Sequence, residues 1–148
     1  MNNITIKYFR DLTLEELYLI LHARQEVFTV EQGIIYQDLD FIDQTSIHVF
    51  LMNPEKSKLM AYLRIIPSGV KYPECSMGRL LTMPRYRHRG YAREIMKTGI
   101  NEAIKRYGLP IKIEAQEYLE DFYKSLGFKS ISSPFILEGI SHVEMILD

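Results

Sequence analysis

The stretch TMPRYRHRGYA, residues 82–92, leads this chain from an apolar strand pattern directly into a helical one. The first N–H groups of a helix lack partners within the helix, and the helix dipole gives that end a partial positive charge. The small residues Gly90 and Ala92 leave the main chain open to a bulky anion. The basic side chains that can add charge-assisted hydrogen bonds are Arg87, Arg89 and Arg93. The stretch therefore predicts a diphosphate site, although a basic segment with one glycine, taken alone, is more often a solvated turn.

Upstream of this stretch the patterns predict one strand, one helix and three further strands. Residues 3–9 alternate apolar and polar side chains, as a half-buried strand does. Thr13 and Glu16 have the spacing of a capping box, so a helix is expected to begin there. The positions expected to share its buried face are Leu14, Leu17, Tyr18, Leu21, Gln25 and Phe28. After a polar, irregular loop, the three strands are expected at residues 47–52, 59–66 and 76–82.

Downstream of Gly90 the apolar period becomes that of an amphipathic helix, which ends near Gly108 after about four turns. A strand is expected at residues 111–115, and a second amphipathic helix at residues 119–126. The last strands are expected at residues 128–131 and 143–147. This order predicts a single α/β (α+β) domain over residues 1–148, with a mixed sheet of six to seven strands and helices on both faces.

Composition and charge narrow the function classes. A chain of 148 residues, 47% of them hydrophobic, can bury one core without disulfides or metals. The net charge of −1 gives no overall field for nucleic acid or an anionic membrane. No apolar run approaches the ~20 residues that cross a bilayer. The single cysteine, Cys75, and the polar start at residues 1–3 favour the cytoplasm.

No metal site is expected. The run Asp38-x-Asp40-x-Ile42-Asp43 opens like a calcium loop, but Ile42 stands at the fifth position, where an oxygen ligand is required. The four histidines lack metal-ligand spacing and cysteine partners. The acidic loop at residues 31–46 is expected either to dock a cationic substrate or to supply capping and turn residues.

Several motifs resemble those of one enzyme family. The pattern R-x-x-G-x-A at residues 87–92 is similar to the Q/R-x-x-G-x-G/A signature of the GNAT acetyltransferase superfamily. The sequence FYKSLGF at residues 122–128 is similar to the one that ends a later helix in that family. The runs RxxVFxVEQ at 24–32, YQDLD at 36–40 and EAQ at 114–116 resemble the ElaA-like branch.

The resemblance implies an acetyl-CoA-dependent N-acetyltransferase that passes the acetyl group directly to a primary amine on a small molecule or peptide. It implies that the fourth and fifth strands splay apart and leave a slot for the pantetheine arm. The cofactor-binding residues expected on this basis are Leu81, Thr82, Met83, Arg87, His88, Arg89, Gly90, Tyr91, Ala92, Arg93 and Gln116. Two positions depart from the pattern, because His88 replaces a frequent glycine and Gln116 replaces a frequent asparagine. A homodimer is compatible with this assignment.

Amide formation from a thioester needs a base for the amine, a donor for the developing oxyanion and an acid for the leaving thiolate. The resemblance places the oxyanion donor at a main-chain N–H near Thr82. Tyr123 is the expected acid, since a phenol of pKa ~10 can protonate a thiolate of comparable basicity, although its helix stripe also fits a packed aromatic. The base is Glu114, at the splay, or alternatively Glu31, Glu74, His142 or a water chain. The residues expected to contact the acceptor are Glu31, Gln32, Tyr36 and Asp38.

Two other functions fit parts of the sequence. A non-catalytic module that binds acyl-CoA as a sensor or adaptor would need the diphosphate site and not the phenol of Tyr123. A nucleic-acid-binding module would use the basic run at residues 85–93. That run is short and is interleaved with only two aromatics, Tyr86 and Tyr91, so nucleic acid is not the expected partner.

Overall fold

The computed structural model describes residues 3–148, so Met1 and Asn2 of the predicted polar start lie outside the described residues. Eight strands form one sheet in the order β1-β2-β3-β4-β5-β8-β6, with β7 paired to β8. The strands are β1 (Ile4–Tyr8), β2 (Ile47–Met52), β3 (Leu59–Ile66), β4 (Cys75–Thr82), β5 (Ile111–Gln116), β6 (Lys129–Ser130), β7 (Phe135–Leu137) and β8 (Ile140–Leu147). The helices are α1 (Leu14–Arg24), α2 (Tyr91–Tyr107) and α3 (Glu120–Lys124). A π-helical segment, Gln25–Glu31, continues α1.

The predicted splay lies between β4 and β5, which form the parallel pair of the sheet. They pair only at Cys75 with Ile111 and at Ser76 with Lys112. Beyond this point β4 carries a bulge, because Leu63 of β3 faces two residues where regular pairing gives one. Arg79, in the bulge, has a left-handed φ of 52°. A bulge bends its strand and increases the twist, so β4 turns away from β5 and the splay is confirmed.

The prediction of helices on both faces is confirmed as well. On one face, α2 packs over β2, β3 and β4, and the approach is closest at Gly99, where an added Cβ would lie 2.7 Å from Cε of Met77. On the other face, Ile20 and Ala23 of α1 pack against Phe50 and other outward-facing sheet residues. Because successive strand residues point to opposite faces, strands such as β3 are buried along their whole length.

The capping box at Thr13 and Glu16 is present, but the predicted buried face is only partly correct, because Phe28 is buried whereas Leu14, Tyr18 and Gln25 are exposed. Leu14 is 86% exposed and Tyr18 is 74% exposed. The buried positions are Ile20, Ala23, Arg24, Val27 and Phe28. Arg24 lies in the middle of this face. Because the sequence pattern counts arginine as polar, it predicts a buried face that is turned away from the observed one.

The C-terminal region also differs from the prediction. The sheet has eight strands rather than six or seven, because β7 forms a hairpin with β8 where a loop was expected. The second amphipathic helix is shorter than predicted. It consists of a single 3₁₀ turn, Glu117–Leu119, followed by α3.

Candidate active site

A cavity of about 710 Å³ occupies the space where β4 and β5 separate. Its walls come from the end of the π-helical segment, β4, the start of α2, β5, α3 and the β7–β8 hairpin. This volume is within the usual range for small-molecule sites, ~300–1,000 Å³. The cavity therefore brings together segments that lie far apart in the sequence.

The turn before α2 borders this cavity. His88 and Gly90 both have left-handed φ values, 64° and 81°. No side chain caps the start of α2, and a Cβ added at Gly90 would meet nothing within 4 Å. The first N–H groups of α2 thus lie beside open space, as anion binding requires. The turn residues that line the cavity are Arg87, His88, Gly90, Tyr91, Ala92 and Arg93, whereas Arg89 lies outside the lining.

The guanidinium of Arg87 is engaged within the fold. It donates two hydrogen bonds to the carboxylate of Glu31, at 2.6 and 2.7 Å. Its Nε donates to the carbonyl oxygen of Thr82 at 2.9 Å. The hydrogen bonds from Arg87 lower the pKa of Glu31. This bidentate pair joins the predicted acceptor side of the cavity to the predicted cofactor side.

Of the three residues expected to meet the pantetheine arm, Leu81 and Thr82, at the end of β4, line the cavity, whereas Met83, just beyond β4, does not. The N–H of Met83 donates to the carbonyl of Met60 at 2.9 Å, and its carbonyl accepts from the N–H of Tyr86 at 2.8 Å. Both main-chain groups are thus used within the fold, and the expectation for Met83 is corrected. Main-chain groups alternate in direction along a strand, so those of Thr82 point towards the splay.

Tyr123 lies deep in the cavity wall and is 8% exposed. Its ring makes edge contacts with Phe122 and Phe128, with centroids 5.2 and 6.0 Å away. Within residues 3–148 its hydroxyl has no hydrogen-bond partner. Burial raises the pKa of Tyr123 well above its usual value, because desolvation disfavours the phenolate. The phenol therefore stays protonated at neutral pH and is free to donate.

The four candidate bases occupy different environments. Glu31 is held by Arg87, and Glu74 is not part of the cavity lining. Glu114 lines the cavity, accepts a hydrogen bond from the hydroxyl of Tyr72 and lies 3.7 Å from Nζ of Lys71. His142 also lines the cavity. Three of the four, Glu31, Glu114 and His142, thus line the cavity, and of these Glu31 is already paired with Arg87.

The imidazole of His142 is held in one orientation. Its Nδ1 lies 2.7 Å from the carbonyl oxygen of Ile140, and its ring stacks on Phe135 with centroids 6.1 Å apart. A carbonyl oxygen can only accept, so Nδ1 carries the proton. In the neutral ring the lone pair is then on Nε2, which makes His142 a candidate general base.

Gln32 and Tyr36, two of the expected acceptor residues, line the cavity, whereas Asp38 does not. The carboxylate of Asp38 accepts hydrogen bonds from Arg24 Nε at 2.9 Å and from the Tyr36 hydroxyl at 3.3 Å. Nε of Arg79 lies 2.7 Å from the same carboxylate. The charge of Asp38 is therefore compensated within the fold and is not presented to an acceptor.

No sequence pattern predicted the arginine–aspartate network, which consists of Arg24, Arg64, Arg79, Asp38, Asp40 and Asp43. Arg24 and Arg64 are at most 1% exposed. Asp43 Oδ1 accepts from Nη1 of Arg24 at 2.6 Å and from Nη1 of Arg64 at 2.9 Å. Asp40 accepts two hydrogen bonds from Arg64, at 2.8 and 2.5 Å, and also one from the N–H of Ile42. The aspartates of the acidic loop thus serve as turn residues and ion-pair partners rather than as an exposed docking surface.

Two observations concern metals and membranes. Across residues 3–148, no three histidine, cysteine, aspartate or glutamate side chains are grouped so that they could hold a metal ion. In that same part of the chain, no helix combines the length and apolar character needed to cross a membrane.

Comparison with known proteins adds independent information. A family model for the acetyltransferase (GNAT) domain matches residues 23–148. A UPF0039 protein of Synechocystis sp. is 38% identical over 93% of this chain and 90% of its own length. A UPF0039 protein of Schizosaccharomyces pombe is 36% identical over 96% of this chain and 94% of its own length. Protein ElaA of Escherichia coli is 29% identical over 91% of this chain and 89% of its own length.

Two crystal structures are similar over the full length of both chains. An acyl-CoA N-acyltransferase from Pseudomonas aeruginosa has a TM-score of 0.93 at 28% identity and 100% coverage of each chain. ElaA from Escherichia coli has a TM-score of 0.92 at 26% identity, again with 100% coverage of each. This chain thus shares its fold with these two proteins.

Proposed function

This chain belongs to the GNAT acetyltransferase family, in its ElaA-like branch, and on that premise we propose that it transfers the acetyl group of acetyl-CoA to a primary amine. Membership of the family makes it an acyltransferase that uses acyl-CoA. The acetyl group and the amine acceptor are the further steps of this proposal. The observation that carries it is the uncapped start of α2, which opens onto the same cavity as Tyr123.

The residues around the cavity fit acetyl-CoA. The N–H groups at the start of α2 can hold the diphosphate, with added charge from Arg93. Gly90 leaves open space beside them. Buried Oε1 of Gln116, on the facing strand, has no hydrogen-bond partner within residues 3–148 and is available to an amide N–H of the pantetheine arm. When bound, acetyl-CoA supplies the acetyl group as an activated thioester.

Each chemical role then falls to a residue of this chain. The carboxylate of Glu114 attracts the ammonium of the acceptor, and Nε2 of His142 takes its proton, which leaves a neutral amine. A main-chain N–H at Thr82 stabilises the oxygen that becomes negative during attack. The phenol of Tyr123 gives its proton to the leaving sulfur. The attacking nitrogen loses a second proton, which restores the phenol of Tyr123, and His142 passes the first proton to solvent, so one proton is released for each acetyl group transferred.

The cytoplasm is the proposed location. Cys75 is free and buried, and cytoplasmic proteins keep their cysteines reduced. Burial also raises the pKa of the Cys75 thiol to about 11, since the thiolate is disfavoured away from water. This thiol is therefore assigned no part in the chemistry.

The test is a broad acceptor screen. The protein is incubated with acetyl-CoA and pools of amines, release of free CoA is followed by a thiol reagent, and the acetylated product is identified by mass spectrometry. We expect amine-dependent CoA release. Calorimetric binding of acetyl-CoA without turnover on any pool would contradict the proposal and favour the sensor function instead.

A further inference from the structure

We infer that a small second cavity beside the splay binds a carboxylate of the acceptor, so that the acceptor is an amine that also carries a carboxylate, as an amino acid does. This inference rests on the proposed function, because it names the substrate class of the same site. It adds Arg64, Lys71 and Arg79, which no sequence motif singled out, to the candidate bases Glu114 and His142.

The second cavity has a volume of about 120 Å³ and adjoins the first. The residues that line both are Met77, Gly78, Arg79, Glu114, Leu137 and His142. Its volume is a few times the ~30 Å³ that one water molecule takes up in the liquid. A carboxylate or another small group therefore fits, whereas a ring system does not.

Three cationic side chains, those of Arg64, Lys71 and Arg79, line this small cavity, together with the polar residue Ser76. The carboxylate of Glu114 is the one acidic group among the lining residues. Each of these cations already has a carboxylate partner: Asp40 and Asp43 for Arg64, Asp38 and Asp40 for Arg79, and Glu114 for Lys71. What the lining offers an anion is therefore the N–H donors that these pairs leave unused.

The donors of Arg64 give the second, independent observation. Its three hydrogen bonds to Asp40 and Asp43 leave from Nη1 and Nη2. Its Nε–H is buried and has no partner within residues 3–148, although the side chain is only 1% exposed. A buried N–H without an acceptor is costly. An anion in the cavity would remove that cost.

Arg79 is held in a similar way. Its Nη2 donates to the carbonyl oxygen of Asp38 at 2.8 Å. Its Nε lies 2.7 Å from Oδ1 of Asp38, but the Nε–H bond does not point at that oxygen. The contact is therefore an ion pair without a hydrogen bond. The arginine–aspartate network therefore fixes both guanidinium groups in place and still leaves N–H groups unused.

Glu114 and His142 stand where the two cavities join. An acceptor whose ammonium lies at Glu114 can place a carboxylate a few ångströms away, against Arg64, Lys71 and Arg79. A zwitterionic amino acid matches this division of charge. The second ammonium of a plain diamine cannot accept a hydrogen bond from these N–H donors, and a peptide N-terminus would bring no carboxylate to them.

The experiment compares matched acceptor pairs that differ by one anionic group. The pairs are phenylalanine with phenethylamine, lysine with cadaverine, and O-phosphoethanolamine with ethanolamine. We expect kcat/KM to be at least about tenfold higher for the carboxylate-bearing member, as for a hydrogen bond to a charged group. Arg64 is too deeply tied into the network for a clean variant, so Lys71→Gln is used. It should lower the ratio of kcat/KM within each carboxylate pair about tenfold.

Lys124→Gln is the matched control. Nζ of Lys124 lies 3.7 Å from Glu120, the same distance as that between Lys71 and Glu114, and Lys124 lines neither cavity. The ratio of kcat/KM within each carboxylate pair should be the same in Lys124→Gln as in the wild type. Equal kcat/KM within the carboxylate pairs would overturn the inference while leaving acetyl transfer intact. A preference for O-phosphoethanolamine alone would overturn it in favour of a phosphate.

Binding of the same pairs to the CoA-saturated protein, measured by calorimetry, does not depend on turnover. If no amine is acetylated, the proposed function fails and this measurement still decides the inference. Tighter binding of the carboxylate members, weakened by Lys71→Gln, supports the subsite. Equal binding of both members overturns it.

Discussion

Arginines occupy two regions of this molecule in opposite ways. In the arginine–aspartate network, Arg24 and Arg64 are buried and each donates to aspartates of the same fold. In the turn before α2, the first N–H groups of the helix and the side chain of Arg93 face a cavity. Charge that is compensated inside the fold contributes to stability, whereas charge and N–H groups left open contribute to binding. The two regions should therefore respond differently to substitution.

The network keeps its aspartates ionised. Burial alone raises the pKa of Asp40 and Asp43, but hydrogen bonds from Arg64 and Arg24 outweigh it, and the pKa of each carboxyl lies below its usual value. His48 packs beside them, with Nε2 2.9 Å from the carbonyl oxygen of Asp43 and Nδ1 2.8 Å from the hydroxyl of Tyr62. Removal of one partner leaves buried charges without compensation.

The largest effect is expected from Asp43→Ala. Asp43 accepts from both Arg24 and Arg64, so its removal leaves two buried guanidinium groups short of an acceptor. The free energy of unfolding should fall by about 3–5 kcal/mol, measured by urea denaturation. Asp148→Ala is the matched control, because Asp148 pairs with Lys129 at an exposed site and should cost less than ~1 kcal/mol. An equal loss of unfolding free energy in the two variants would mean that the buried network stabilises the fold no more than an exposed ion pair does.

The same network predicts a pH dependence. The folded-state pKa of Asp40 and Asp43 lies below the unfolded value of ~3.9. Their stabilisation is therefore fully present above about pH 4 and is lost as the pH falls through the folded-state pKa. Urea midpoints at pH 7 and pH 3 should differ less in Asp43→Ala than in the wild type. An identical difference in both proteins would mean that other groups govern acid unfolding.

The next largest effect is expected from Tyr123→Phe, which removes a hydroxyl and keeps the ring contacts with Phe122 and Phe128. If the phenol protonates the leaving thiolate, kcat should fall by about 10² or more, while the KM for acetyl-CoA stays within a few-fold. The free energy of unfolding should change little, since the hydroxyl has no partner within residues 3–148. A burst experiment must show that chemistry limits the rate. Wild-type turnover under that condition would make solvent the proton source.

Gly90→Val sharpens the comparison at the open turn. The added bulk stands beside the N–H groups of α2 and should weaken acetyl-CoA binding tenfold or more, about 1.4 kcal/mol, measured by calorimetry. Valine at a φ of 81° also strains the main chain. Gly69→Val imposes the same strain at a φ of 82°, in a turn that lines neither cavity. Gly69→Val should lower the free energy of unfolding but leave the affinity for acetyl-CoA unchanged. Loss of acetyl-CoA affinity in both variants would contradict the proposed position of the diphosphate site.

The two regions also differ in how far the sequence predicts them. The turn at residues 87–92 and the FYKSLGF run are local patterns, and the family resemblance that they carry implied the splay and the slot beside it. The network joins residues up to 41 positions apart, as between Arg79 and Asp38. Local patterns do not encode such pairing, and an arginine inside the buried face of α1 even shifted the predicted face. Arg64, inside the apolar run LMAYLRII, was the one available indication of a buried ion pair.

The smallest expected effect tests the one departure from the family pattern in the open turn. His88 has a φ of 64°, where a side chain costs roughly 1–2 kcal/mol and glycine costs nothing. His88→Gly removes that strain but makes the unfolded chain more flexible, which offsets about 0.4–1 kcal/mol. The net gain in unfolding free energy should therefore lie between roughly 0 and 1.6 kcal/mol. Lys56→Gly, at a φ of 55° in an exposed turn away from both cavities, should show a similar gain.

The two glycine variants should differ in acetyl-CoA affinity. Of the two residues replaced, His88 lines the large cavity and Lys56 does not. His88→Gly should therefore alter the affinity by a few-fold, because a barer main chain lets the diphosphate approach more closely. Equal acetyl-CoA affinity in the wild type and both glycine variants would mean that His88 affects the conformation of the turn but not its contact with the ligand.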